Sequence, residues 1–254
     1  MITKIIAHRG DKKNYPENTF LAFTHAFKAG VFVVELDVHF SRDGKLPVHH
    51  DYYLGRTNNG NGLIFEKSSD YLKSLDSGGW FSKKFKGEKM PFLPQVLDKF
   101  SGSLFYEIEL KDSSSEFINA VLEEVKKRDL LKHVEFTSPH LFVLKKIKDL
   151  LPEACIGLFI TPPEEWMDEK LFDILTISNG KMGEINVLHI PSNLINKNRV
   201  KLYQSNGFLV HASNCDTKNE LKLAFRSGVD QLSTNNITLA VIEKEKYERT
   251  IATD

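Results

Sequence analysis

Cysteine is nearly absent. Two thiols, Cys155 and Cys215, occur among 254 residues, in separate apolar-flanked segments whose spacing makes no metal-binding pair. A multiply bridged disulfide framework is excluded, and free, buried thiols in a reducing compartment are expected. An excess of one charge sign is missing too, since 34 Lys and Arg balance 34 Asp and Glu. No global field draws in nucleic acid or an anionic membrane, so no nucleic-acid partner is predicted and only a local basic site remains for anions. Long apolar runs are also lacking, which argues against a transmembrane segment. Met1-Ile2-Thr3-Lys4 leads directly into an apolar strand without signal-peptide patterning, so a cytoplasmic protein is expected. The sequence does not state the oligomeric state.

What is present begins with acid in an unusual place. In Val31-Phe32-Val33-Val34-Glu35-Leu36-Asp37-Val38 the period of a strand sends Glu35 and Asp37 to one face. Unpaired carboxylates on the buried side of so apolar a strand cost several kcal/mol, roughly, unless a cation compensates them. A hard divalent ion is the simplest partner. Leu104-Phe105-Tyr106-Glu107-Ile108-Glu109-Leu110-Lys111 repeats the pattern and offers a third carboxylate, from Glu109 or Glu107. A metal-free network with Arg9 and Lys111 is the alternative, although two cations leave one of three carboxylates over.

Other reactive groups surround these strands. Ile5-Ile6-Ala7-His8-Arg9-Gly10 is an apolar strand ending in an imidazole, a guanidinium and a residue free to turn. Pro16-Glu17-Asn18-Thr19 opens a helix, with Asn18 or Thr19 as cap and Glu17 suited to the positive end of the macrodipole. Pro47-Val48-His49-His50-Asp51 supplies a second imidazole, and the adjacent acid favours His50 over His49. His25, His39, His133, His140 and His189 lie outside any motif and read as structural or solvated. Two histidines, carboxylates, an arginine and a lysine suit metal-assisted phosphoryl chemistry.

The chain resembles the glycerophosphodiester phosphodiesterase family. The resemblance rests on His8-Arg9-Gly10, Pro16-Glu17-Asn18-Thr19, Glu35-x-Asp37, His50-Asp51, Arg56-Thr57-Asn58-Asn59-Gly60-Asn61-Gly62 and Glu109-x-Lys111, six motifs in order over the first half of the chain. It implies a (β/α)8 TIM barrel, for which about 250 residues is the usual length. Strand-like runs near 3–8, 31–38, 104–110, 133–137, 155–160, 185–190, 207–212 and 229–233 agree, with helical patterns at 20–30, 116–128, 141–151, 164–175, 194–206 and 220–227 between them. One domain spanning 1–254 is expected. The alternation breaks at about 51–92, an insertion between the second and third strands that the resemblance makes a small cap, with Trp80, Phe81 and Phe85 available to line it or merely to anchor a loop.

The resemblance also assigns roles. Glu35, Asp37 and Glu109 would hold Mg²⁺ or Ca²⁺, with Mn²⁺ a further candidate. Arg9 and Lys111 would neutralise the phosphate, with His8 as base and His50 as acid. These residues fall at or after the C-terminal ends of strands, where such barrels place their sites. The substrate implied is a small glycerophosphodiester, cleaved to sn-glycerol 3-phosphate and an alcohol. Lysophospholipase D chemistry and a non-catalytic phosphodiester-binding barrel are the alternatives. The last third departs from the family: Leu209-Val210-His211-Ala212-Ser213-Asn214 carries an imidazole in place of a tryptophan, and Leu232-Ser233-Thr234-Asn235-Asn236 lacks an acid. His211 and Asn214 are therefore candidates for the substrate pocket, as is Trp80 from the insertion.

Overall fold

The structure, a computed structural model, describes residues 3–253. Apolar runs form eight strands: β1 (Lys4–Ala7), β2 (Val33–Val38), β3 (Phe105–Leu110), β4 (Val134–Ser138), β5 (Cys155–Phe159), β6 (Val187–Pro191), β7 (Leu209–Ser213) and β8 (Gln231–Thr234). They follow chain order in a closed barrel. Parallel strands are covered on both faces, so they read as nearly continuous apolar runs; Ile6, Ala7, Val34, Leu36, Val38 and Ile108 are all at most 1% exposed.

Among the described residues the helices are α1 (Phe20–Lys28), α2 (Ser69–Ser74), α3 (Leu93–Phe100), α4 (Ser115–Lys126), α5 (Leu141–Leu150), α6 (Glu169–Met182), α7 (Lys197–Ser205), α8 (Lys218–Ser227) and α9 (Ile237–Thr253). Many start where a side chain can satisfy an orphan amide. Thr19, Ser114, Asp168, Asn196 and Thr217 each accept from an amide in the first turn of α1, α4, α6, α7 and α8. Asp168 explains why α6 begins five residues later than the apolar pattern from 164 predicts. Three helices, α2 within the insertion, α3 and α9, have no counterpart among the sequence patterns. Pro94 sits in the first turn of α3, where a missing amide costs nothing, and α9 packs Tyr247 flat against Phe225 of α8 at 5.8 Å.

The described residues form two compact units, Ala7–Val134 in one and residues 3–6 with 135–253 in the other. In the first, β2 pairs with β3 so that Glu35 lies beside Glu107 and Asp37 beside Glu109. The long excursion between these strands returns through antiparallel bridges, Val38 with Val48 and Pro47 with Phe92. It carries its own apolar cluster of Leu54, Ile64, Leu72, Leu75, Met90 and Phe92. In the second unit, β5 to β8 pair in a register that aligns Phe159, His189, His211 and Gln231 in one row.

Candidate active site

The site is assembled at the ends of β1, β2 and β3. After β1 the chain turns sharply: Arg9 adopts φ 58° and Gly10 φ 79°, both left-handed. A Cβ at Gly10 would come within 2.7 Å of Ala22, so only glycine lets the turn press against α1. That turn aims the Arg9 amide at Glu35 Oε2, 2.8 Å away. His8 Nε2 lies 3.8 Å from the same oxygen.

Glu35 and Asp37 are buried, 2% and 0% exposed. Arg9 Nε approaches Asp37 Oδ2 at 3.2 Å and Lys111 Nζ approaches Oδ1 at 3.0 Å, as ion pairs rather than aligned hydrogen bonds. Asn18 donates to Oδ2 at 2.7 Å, and Lys111 also bonds Glu109. Glu17 accepts from Arg9 at 2.9 Å and from Arg56 at 2.8 Å. Arg56 in turn pairs with Asp51, which holds His50 Nδ1 at 2.6 Å. His8 and His50 remain partly exposed, with 18% and 33% of their side chains accessible. His49 is buried beside Thr57.

Protonation follows this wiring. Burial, with the Asp37 charge next to it, pushes the Glu35 carboxyl well above the ordinary range. The same two causes raise Glu109 to about 7. Asp37 goes the other way, because Lys111 and Arg9 outweigh its burial and hold it far below the usual range. Against burial, Arg56 and His50 hold the Asp51 carboxyl at about 2. Burial lowers His50 from its ordinary value.

One oxygen of Glu35, Oε1, is buried without a hydrogen-bond partner. Glu35, Asp37 and Glu109 each offer a carboxylate oxygen within 4.8 Å of the other two. Around them five carboxylates (Glu17, Glu35, Asp37, Asp51, Glu109) meet three cations (Arg9, Arg56, Lys111). The excess equals the charge of one divalent ion. An all-oxygen donor set suits a hard cation, so these residues fit the implied metal better than the salt-bridge network alone.

Residues 8–239 match the model of the glycerophosphoryl diester phosphodiesterase family. The chain belongs to this family. It is 36% identical over 162 residues, 62% of this chain and 67% of the relative, to a glycerophosphodiester phosphodiesterase of Caldanaerobacter subterraneus subsp. tengcongensis. To the enzyme of that name from Bacillus subtilis it is 28% identical over 249 residues, 91% of this chain and 82% of that protein. Among solved structures, an Oleispira antarctica phosphodiesterase in complex with the product sn-glycerol-3-phosphate superposes with a TM-score of 0.85 at 27% identity, covering 96% of this chain and 97% of that one.

The structure thus brings His8, Arg9, Glu35, Asp37, His50, Glu109 and Lys111 onto neighbouring elements of one unit. At the helix start it decides between the two capping candidates and corrects the role of Glu17. Thr19 is the cap of α1, Asn18 turns inward at φ 55° to Asp37, and Glu17 bridges two arginines rather than serving the macrodipole. His39 also has more to do than the sequence suggests. It is buried, driven down to about 4 by that burial, and its Nε2 bonds the His50 carbonyl at 3.1 Å. The Tyr52 hydroxyl donates to the Lys111 carbonyl at 2.8 Å and so ties the second loop to β3. Only the Pro-Glu-Asn-Thr and Arg56 motifs signalled this layer, without giving its pairings.

The three pocket candidates differ. Trp80 is 41% exposed, lies edge-on to Phe81 and donates Nε1–H to the Ser77 carbonyl. His211 is fully buried, its ring 4.0 Å from that of His189 and its Nδ1 3.3 Å from Gln231. Asn214 is exposed at the end of β7. His189, read from the sequence as structural or solvated, is buried with Nε2 2.6 Å from Glu135.

No helix among the described residues is long and apolar enough to cross a membrane.

Proposed function

We propose that this protein hydrolyses glycerophosphodiesters to sn-glycerol 3-phosphate and an alcohol, with one Mg²⁺, Ca²⁺ or Mn²⁺ ion held by Glu35, Asp37 and Glu109. The observation that carries the reading is the convergence of three carboxylates, one with an unsatisfied buried oxygen, beside two partly exposed histidines. When bound, such an ion would polarise a phosphoryl oxygen and favour ionisation of a hydroxyl beside it.

The chain's own groups do the rest. Arg9 and Lys111 offset charge on the phosphoryl oxygens. His8 takes the proton of the glycerol hydroxyl next to the ester as its oxygen bonds to phosphorus. His50, its Nδ1–H given to Asp51, delivers a proton from Nε2 to the departing alcohol oxygen as that P–O bond breaks. Water then opens the cyclic phosphate: His50 removes the water proton and His8 returns its own to the glycerol oxygen. Both histidines end as they began.

The test is release of glycerol 3-phosphate from glycerophosphoglycerol and glycerophosphocholine by chelator-stripped protein, with each ion restored in turn and His8→Ala beside it. Ion-dependent release, lost in the variant, is expected. Folded protein inert toward both diesters under every ion would overturn the reading.

A further inference from the structure

Lysines and aromatic rings gather on one surface of the Ala7–Val134 unit. Most belong to the insertion, in the run Trp80-Phe81-Ser82-Lys83-Lys84-Phe85-Lys86. The loop 77–88 that carries it is tied at its ends, the Ser77 amide donating to the Glu88 carbonyl at 2.7 Å. Asp76 Oδ1 accepts from the Gly78 and Gly79 amides, both at 2.9 Å. A Cβ at Gly78 would collide with the Phe85 carbonyl, so the turn closes only on glycine. Compact surface loops with adjacent ends are packed by their own side chains.

Here that packing is a chain of rings. Trp80 meets Phe81 edge-on at 5.5 Å, Phe81 meets Phe85 at 5.8 Å, and Phe85 meets Tyr15, from the turn after β1, at 5.4 Å. Trp80 is 41% exposed, and its one polar atom is committed to the Ser77 carbonyl, so what it offers outward is apolar. Lys13, Lys83, Lys84 and Lys86 are exposed, and Lys84 Nζ lies 4.5 Å from the Phe85 ring centre. Among the described residues none of these four lysines forms an ion pair. The acids nearest in the chain are engaged elsewhere. Asp11 is buried and pairs with His25 at 2.7 Å, Asp76 serves the two glycine amides, and half-buried Glu88 accepts from the Leu21 amide.

We propose that this surface docks on a lipid bilayer carrying anionic head groups. Amphipathic rings and lysines whose stems lie along apolar surface are what the interfacial zone of a bilayer accepts, and unpaired lysines beside them are drawn to its negative charge. The chain as a whole is neutral, so the attraction is confined to this patch and orients the molecule. Nucleic acid is the poorer match. The surface has no arginine with which to read base edges, and the amide hydrogens of its one carboxamide, Asn14, go to Asp11. Docking would hold the turn that carries Arg9 and Lys13 at the lipid. It needs no turnover, so it stands or falls independently of the hydrolysis proposed above.

The full chain is to be sedimented with vesicles of phosphatidylcholine alone and of phosphatidylcholine with about 30% phosphatidylserine, at low and at near-physiological salt. Beside it runs a Lys13→Gln/Lys83→Gln/Lys84→Gln/Lys86→Gln variant whose fold is checked by circular dichroism; all four side chains are exposed, so the fold should survive. A Trp166→Phe protein leaves Trp80 as the sole tryptophan, and quenching of its emission by lipids brominated on the acyl chain reads its depth. Wild type should bind the anionic vesicles about tenfold or more tightly than the neutral ones, less so as salt rises, and the quadruple variant should lose about a hundredfold of that affinity. Trp80 should be quenched. No vesicle binding, equal binding to both compositions, affinity kept by the variant, or an unquenched Trp80 on bound protein overturns the proposal. Salt-sensitive binding to a random DNA duplex in the absence of vesicle binding would overturn it as well, and would reassign the lysines to nucleic acid.

Discussion

Glu35 concentrates the electrostatics of the site into one side chain. It is buried, one oxygen takes an amide hydrogen bond from Arg9, and the other takes none. A carboxylate so placed destabilises the ion-free protein and stabilises the ion-bound one. Glu35→Gln is accordingly expected to raise the thermal midpoint of chelated protein by a few degrees, about 1 kcal/mol, while abolishing the upward shift that added Mg²⁺ or Ca²⁺ gives wild type. A lower midpoint without ion would mean that Glu35 is satisfied by protein groups alone. Asp51 holds His50 Nδ1 and in the proposed mechanism acts through it. Asp51→Asn should reduce kcat on the order of 10²-fold, at the lower end of what positioned acid–base catalysis contributes, with KM little moved. A fall confined to KM would instead place Asp51 in substrate binding. At this scale the sequence was informative where chemistry follows a strand's period, as for Glu35, Asp37 and Glu109. It was silent where partners meet across loops: Glu17 and Arg56 are 39 residues apart, and no local pattern announces their pairing.

At the scale of elements, the turn between β1 and α1 does the positioning. Gly10 cannot carry a Cβ without striking Ala22, and its φ of 79° disfavours any other residue. Gly10→Ala should cost about 1–3 kcal/mol of stability and displace His8 and Arg9, so that turnover falls in protein that still folds by circular dichroism. Unchanged turnover would show that the turn is not critical. A second device ties the turn just after β2 to the insertion: Asp43 accepts from Ser41 Oγ, from the Ser69 amide and from Ser69 Oγ at 2.7–2.8 Å. The bonds from Ser69 and then Ser41 hold this exposed carboxyl far below its ordinary 3.8. Since the folded value is depressed, the contribution is complete above pH 4, roughly, and is lost as acid protonates the group. Asp43→Asn should therefore narrow its stability deficit against wild type as pH falls from 6 toward 3. A constant deficit would assign the effect to shape rather than charge. The strands and most helices were legible because apolar runs and caps recur. The insertion was visible only as a break, since its small cluster, Leu54 to Phe92, is scattered over short turns that no period organises. α9 escaped because its charged stretch, Glu243-Lys244-Glu245-Lys246, masks the few positions, such as Ile237 and Ala240, that it buries.

For the whole molecule, the barrel follows from eight apolar strands in chain order, and the site follows from the ends at which they stop. Fold alone would not name a chemistry; family membership does, and the carboxylates at β2 and β3 support the proposed metal-assisted form of it. The departures in the last third were legible as departures, yet their meaning was not. His211 is a buried partner of His189 and Gln231, whereas Asn214 stands at the rim of a polar recess. The central claim is that one divalent ion on Glu35, Asp37 and Glu109 is required for turnover. The most direct test titrates Mg²⁺, Ca²⁺ or Mn²⁺ into chelated wild-type and Glu109→Gln protein by calorimetry and assays glycerol 3-phosphate release on the same samples. One ion per chain is predicted, with turnover rising in step with occupancy, and both weakened in the variant. Full turnover by ion-free protein, or an ion whose occupancy leaves the rate unchanged, would contradict the account.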